Sequence, residues 1–174
     1  ATTQIAGSEP GNAWGQGKDV PLIAMAHGIP YVATATVADL RDLERKVEKA
    51  MSIHGARYIH IFVPCPLGWG APSGKTVEIA RLAAETGLFP VFEAEYGEVT
   101  HARKIRRLRP VEDYLKMQKR FAHLFGKKGD PATVARIQAV ADRNIERFGL
   151  LDGEEDKEMI IPVPAQADAR TQAR

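Results

Sequence analysis

Cysteine is nearly missing from this sequence: one, Cys65, occurs among 174 residues. A single thiol closes no internal disulfide, so the fold must hold by burial and hydrogen bonding, and the usage matches a reducing, cytoplasmic setting. An excess of charge is also missing. Lys and Arg total 24 against 22 for Asp and Glu, a net charge of +2, which selects neither nucleic acid nor an anionic membrane. No apolar run reaches the ~20 residues that a bilayer-spanning helix needs. The opening "ATTQIAGSEP" lacks the charged-then-apolar pattern of a secretory signal. Internal repeats are absent and aromatics make up only 7%. What remains is an ordinary soluble composition at a length suited to one domain, which buries roughly two thirds of its surface on folding.

Residues 1–17 are rich in Gly, Thr and Ser without periodicity and read as a loop. A short helix is expected from Val20 to Ala26, closed at Gly28. "YVATATV" reads as a strand, and "ADLRDLERKVEKAMSIHG" as a helix with Leu40, Leu43, Val47, Ala50 and Met51 at helical spacing. "YIHIFVPC" is a strongly apolar strand. Ser73 is the expected cap of a helix from about Lys75 to Thr86, closed by Gly87. "LFPVFEAEYG" gives a third strand, "EVTHARKIRRLRP" a linker, and Pro110 opens a helix over "VEDYLKMQKRFAHLFG". Asp130 and Pro131 open a last helix that ends at Gly149. Residues 151–174 are polar and rich in Pro and Ala, a tail expected to be disordered or draped on a partner. This divides the chain into an α/β region (1–126), a C-terminal helix (127–150) and a tail (151–174). The alternation predicts an α/β fold: an open, mostly parallel sheet with flanking helices and a C-terminal helical extension. In such sheets ligands gather at the C-terminal ends of strands. Cys65 lies at one.

Three other motifs invite a chemical reading. "GWGAPSGKT" looks like a phosphate loop, but Gly70 stands one residue too close to the Gly-Lys-Thr and Gly68 one too far, so a turn leading into a helix is the better reading. The basic run His101, Arg103, Lys104, Arg106, Arg107 and Arg109 lacks interleaved aromatics and is flanked by carboxylates. A solvated face or a docking surface for an acidic partner suits it better than nucleic acid. His54 and His60 lie near Cys65 in sequence, but His60 stands an odd number of residues from it along a strand, so the two side chains leave opposite faces. His27 reads as a helix-end residue. A lone cysteine without a Cys-x-x-Cys partner builds no zinc site by itself. Cys65 sits between Pro64 and Pro66, which lock φ on either side of it, while Gly68 and Gly70 allow close approach. That mount suits a ligand sulfur, although a buried inert thiol is the commoner use of a single cysteine.

The stretches "HGIPYVATATV", "FVPCPLGWG", "GKTVEIARLAAETGLFPVFEAE" and "PVEDYLKMQKRFAHL" resemble, in order, the C-terminal half of the β subunit of 2-oxoacid:ferredoxin oxidoreductases, the pyruvate:ferredoxin oxidoreductase group. The resemblance runs from Ala1 to about Leu124, although "QIAGSEPGNAWGQ" departs from it. It implies a thiamine-diphosphate-binding α/β fold and oxidative decarboxylation of a 2-oxoacid, with coenzyme A as usual acyl acceptor. Thiamine diphosphate and Mg²⁺ would serve the decarboxylation. A [4Fe–4S] cluster on four thiolates would carry electrons one at a time to ferredoxin or a similar acceptor. By the same resemblance Cys65 matches the fourth cluster ligand, Leu67 and Gly68 are candidate N–H donors to its sulfur, and Thr2 and Thr3 lie nearest the thiamine site. The implied partners are the 2-oxoacid-binding α subunit, a γ subunit and a ferredoxin-like δ subunit.

The family's Gly-Asp-Gly…Asn motif for Mg²⁺ and diphosphate has no match here. "KKGDPA" opens a helix and no suitable Asn follows. The other three cluster cysteines are absent too, so the resemblance implies one piece of a subunit. No catalytic residue is assigned. An aryl 2-oxoacid such as phenylglyoxylate with NAD as final acceptor, or a branched-chain 2-oxoacid, is compatible with the same motifs. The rival from another class is a non-catalytic interaction module derived from the fold.

Overall fold

The computed structural model describes residues 18–127 and 129–151. Helix α1 (Val20–Ala26) begins behind Asp19, whose carboxylate accepts from the Leu22 N–H. Strand β1 (Tyr31–Thr36) is buried along its whole length. Helix α2 (Leu40–Ser52) is capped by Asp39, and β2 (Arg57–Phe62) follows it. A single turn, α3 (Pro66–Trp69), then leads to α4 (Thr76–Glu85). Strands β3 (Phe92–Glu95) and β4 (Glu98–Ala102) form a hairpin. Helix α5 (Val111–Lys116), a 3-10 segment (Lys119–Leu124) and α6 (Pro131–Arg147) complete the order.

The sheet runs β2-β1-β3-β4. The α/β class and the open, helix-flanked sheet stand as expected. The β1–β2 pair is parallel, from Tyr31 opposite Arg57 to Thr36 opposite Phe62. Strands β3 and β4 extend the sheet in antiparallel fashion. One core lies between α4, α5, the 3-10 segment and α6, built on Ile79, Leu82, Val111, Leu115, Phe121 and Ile137. A second joins α1 and the sheet through Met25, Val32, Phe92 and Phe148.

Three local expectations need correction. The linker "EVTHA" is β4, because Tyr96 and Gly97 both take positive φ (50° and 91°) and close a two-residue hairpin turn. Tyr in that first position gives no turn signal in sequence. Ser73 does not cap α4. It starts a 3-10 turn, Ser73–Lys75, its carbonyl accepting from the Thr76 hydroxyl at 2.9 Å, and α4 has no side-chain cap. The helix expected over 111–126 breaks at Gln118, which is extended (φ −131°, ψ 120°). There the Gln118 side-chain amide donates to the Tyr114 carbonyl at 2.8 Å, taking the bond that its own backbone N–H would make in a continuing helix.

Beneath α2 lies a charged network. Lys46 is 1% exposed and donates to the Thr34 carbonyl (2.8 Å) and the Asp42 carboxylate (2.6 Å). Burial pushes the Lys46 ammonium down, against the pull of Asp42. Glu93, 5% exposed, accepts from the Tyr31 hydroxyl (2.9 Å) and the Lys49 ammonium (3.0 Å). Burial alone would raise the Glu93 carboxyl. Its bonds to Lys49 and Tyr31 outweigh that and hold it below the usual carboxylate range. Each buried charge thus has its partner, as desolvation demands.

Because the folded state keeps Glu93 ionised at lower pH than the unfolded chain does, its contribution is present above the unfolded value of about 4.3. The contribution is lost as pH falls through the lower folded value. Glu93→Gln should therefore destabilise the protein by about 1–3 kcal/mol at pH 7 and flatten the acid limb of its stability curve. Urea midpoints from pH 3 to 7 measure this. Equal acid slopes for variant and parent would refute it.

Candidate functional site

Past the end of β2 the chain runs through Val63 and the buried Pro64 to Cys65, which is exposed and is the single free cysteine. Cys65 is extended (φ −97°, ψ 104°) and occupies the cap position of α3, its Sγ accepting from the Gly68 N–H at 3.4 Å. Pro66 follows at the first helical position, where the missing N–H costs nothing. The Trp69 N–H donates to the Cys65 carbonyl (3.0 Å) and the Ala71 N–H to that of Pro66 (2.9 Å). Backbone bonds therefore tie the turn on which the thiol is mounted. A Cβ at Gly68 would stand 3.3 Å from Sγ. Of the two expected N–H donors to the sulfur, Gly68 is the one seen.

The turn rests on the 3-10 segment. Gly70 has φ 62°, and a Cβ there would come within 2.7 Å of the Lys119 Cβ. The Lys119 N–H donates to the Gly70 carbonyl at 3.4 Å. Next along, the Arg120 guanidinium lies 3.7 Å from the centre of the Trp69 ring and 4.6 Å from that of Phe121. Its Nε donates to Gln118 Oε1 (2.8 Å) and a terminal nitrogen to the Tyr114 hydroxyl (3.3 Å). Burial pushes the Arg120 guanidinium below its ordinary value, with Tyr114 and then the Cys65 thiol acting in the opposite direction. Trp69 also meets Phe62, ring centres 5.8 Å apart. Tyr114, Gln118 and Arg120 lie within the stretch "PVEDYLKMQKRFAHL", but nothing in their residue types assigns them to the cysteine turn. Only the break in the helix brings them to the cysteine turn.

The remaining candidates scatter. Thr2 and Thr3 lie outside the described residues. His60 bonds the Tyr58 hydroxyl (3.0 Å) and packs on Phe89, while His27 ends α1 and His54 is exposed. Lys75 pairs with Glu78 (2.6 Å), so the Gly-Lys-Thr serves its own helix. The basic run is spread among separate partners, Arg103 on Asp39, Lys104 on the Gly149 carbonyl and Arg109 on Asp113. Among the described residues no group of three or more His, Cys, Asp or Glu is arranged to hold a metal ion.

No protein-family model matches the chain. Curated relatives do. It is 53% identical over 133 residues to pyruvate synthase subunit PorB of Methanosarcina barkeri, covering 76% of this chain and 45% of that protein. PorB of Methanocaldococcus jannaschii is 46% identical over 149 residues, 86% of this chain and 48% of that one. Ketoisovalerate oxidoreductase subunit VorB of Pyrococcus abyssi is 47% identical over 109 residues, 62% and 35% respectively. The chain belongs to the β-subunit family of 2-oxoacid oxidoreductases. It spans about half the length of the curated relatives it matches.

The iron–sulfur cluster expected from the resemblance would take a thiolate, and the Cys65 turn has the form of a mount for one such ligand. The thiol is exposed, its turn is backbone-bonded, a backbone N–H already reaches the sulfur, and no Cβ crowds it at Gly68. Cluster sulfurs commonly accept such N–H bonds. Three further thiolates would have to come from outside these 174 residues, which hold one cysteine.

Gly28 and Gly70 share a left-handed backbone (φ 67° and 62°), but a Cβ at Gly28 meets open space. Gly28→Ala should cost the backbone term alone, about 1–2 kcal/mol. Gly70→Ala should cost about 1–3 kcal/mol more, because it prises α3 from Lys119. Urea midpoints of the two variants measure the difference, and equal losses would show that the contact holds nothing.

Proposed function

We propose that this chain is the half of a 2-oxoacid oxidoreductase β subunit that supplies Cys65 as one thiolate of a [4Fe–4S] cluster. The enzyme it completes oxidatively decarboxylates a 2-oxoacid such as pyruvate to the acyl-coenzyme A and passes electrons to ferredoxin or a similar acceptor. The observation that carries this reading is the 53% identity to a pyruvate synthase subunit across 76% of the chain. When bound, thiamine diphosphate with Mg²⁺ supplies the carbon chemistry and the cluster supplies one-electron transfer.

This chain's own part is positional. Pro64 and Pro66 restrict the backbone on both sides of Cys65, which limits motion of the ligating sulfur. Gly68 donates to that sulfur, and Trp69 walls the turn on the side of Arg120. Thr2 and Thr3 are the candidate contacts to thiamine diphosphate. The α, γ and ferredoxin-like δ subunits are the partners, in the cytoplasm. Among the described residues no helix is long and apolar enough to cross a membrane. A branched-chain 2-oxoacid is the second reading of the substrate, supported by the 47% identity to a ketoisovalerate oxidoreductase subunit.

In the complete subunit, assembled with its partners, Cys65→Ala should lower the iron content by up to about four atoms and remove one reduced-cluster component from the electron paramagnetic resonance spectrum, leaving those of a ferredoxin-like subunit. Parental iron content together with an unchanged signal would overturn the role of Cys65.

A further inference from the structure

The two edges of the sheet are built differently. Strand β4 exposes Glu98, Thr100 and His101, and its register against β3 shifts at Glu93 and Ala94. Charge and an irregular register are common devices that keep an edge from taking a further strand. Strand β2 lacks both. It carries no Lys, Arg, Asp or Glu from Tyr58 to Phe62, and its pairing with β1 runs unbroken. Among the described residues β1 is its one partner. The Phe62 carbonyl accepts from the Val37 N–H. Backbone groups alternate in direction along a strand, so Tyr58, His60 and Phe62 bond toward β1. Arg57, Ile59 and Ile61 therefore turn bare N–H and C=O groups outward. Tyr58, Ile59, Ile61 and Phe62 place apolar side chains on both faces, the composition of a strand inside a sheet rather than at its rim.

Helix α2 overhangs the same edge. It lies on β1, where Ala50 packs with Tyr31 and Ala33, and Lys46 reaches the Thr34 carbonyl. From one flank Arg45 and Lys49 extend to Glu93 and Glu95 of β3. At about 100° per residue, Leu40, Leu43, Val47 and Met51 share the opposite flank, which is the β2 side. This apolar stripe is turned out: Leu40 is 66% exposed, Met51 71%, and Val47 is exposed too. Ile59 packs with the residues beneath α2, so Ile61, two positions on, faces the same way and is also exposed. The result is an apolar gutter, with a bare strand edge as its floor and the α2 flank as its wall. Contiguous exposed apolar surface of this kind marks an interface.

The gutter also specifies its occupant. A row of bare N–H and C=O groups selects a β-strand, and the stripe above it selects apolar side chains. The chain spans 45% and 48% of two curated relatives, so in them a comparable length of polypeptide lies outside the matched region. We propose that this gutter seats the other half of the β subunit, which adds a strand along β2 and covers Leu40, Val47 and Met51 with apolar side chains. The proposal rests on the reading of this chain as half of a β subunit and is independent of the role of Cys65.

The test uses the complete, assembled enzyme with photoreactive benzoylphenylalanine in place of Val47 or Met51. Both side chains are exposed, so the fold tolerates the larger ring. Irradiation should join each position to a peptide of that other half, identified by mass spectrometry. In the unsubstituted enzyme the Ile59 and Ile61 amides should exchange with deuterium at least about a hundredfold more slowly than those of an unfolded chain. Cross-links to a second copy, to another subunit or to residues 1–17 or 152–174 would overturn the proposal. So would the absence of any cross-link, or amides that exchange at unfolded-chain rates. If the enzyme holds no polypeptide matching the uncovered half of the relatives, the half-subunit reading fails and takes the proposal with it. If that half is present but cross-links elsewhere, the proposal alone fails.

Discussion

The Gln118 side-chain amide, bonded to the Tyr114 carbonyl at 2.8 Å, is the contact on which the cysteine site depends. In an uninterrupted helix the carbonyl of residue 114 would receive the backbone N–H of residue 118. Once the side chain takes that place, the backbone at Gln118 is free to extend, and the chain re-enters a tighter 3-10 spiral at Lys119. The change of direction sets Lys119 against Gly70 and Arg120 over Trp69. The same amide uses its oxygen to accept from Arg120 Nε. One side chain thus ends a helix and aims a cation. Its burial, 1% exposed, with both polar ends satisfied, makes the arrangement rigid.

The sheet supports this arrangement from below. Strand β1 is covered on both faces, and the charges that α2 lays over it are neutralised in pairs. Such pairing allows a Lys and a Glu to sit near the centre of a small sheet without unpaired desolvation. The contrast with Arg120 is therefore a contrast within one protein. Beneath α2 buried charge is cancelled locally, whereas the half-buried Arg120 is held by rings and neutral acceptors.

Much of this architecture is legible in sequence. The caps Asp39 and Asp130, the β-branched run of β1 and the helical spacing of α2 each have a local cause that residue types reveal. The position of Cys65 at the end of a strand, between prolines and before glycines, is equally local, and so is the Gly68 donor. What is not legible depends on single conformations or on distant contacts. Tyr96 at φ 50° breaks the usual Asn or Asp preference of its turn, so β4 reads as linker. Strand β2 reads as strongly apolar, yet it lies at the sheet edge and is half-exposed or exposed along its length. Arg120 stands among ordinary charged residues in sequence and acquires meaning only through a ring some fifty positions away.

The choice of arginine at that place follows from its chemistry. A guanidinium is weakly hydrated, remains protonated despite the downward push of burial, and stacks on an indole face. It can therefore sit half-buried without a carboxylate, which an ammonium, compact and strongly hydrated, tolerates poorly. A carboxylate partner would cancel its charge. Tyr114 and Gln118 hold it without doing so, since a phenol kept neutral by burial and an amide both accept hydrogen bonds and carry no net charge. Arg120 thereby keeps its charge while pinning the 3-10 segment to the Trp69 ring.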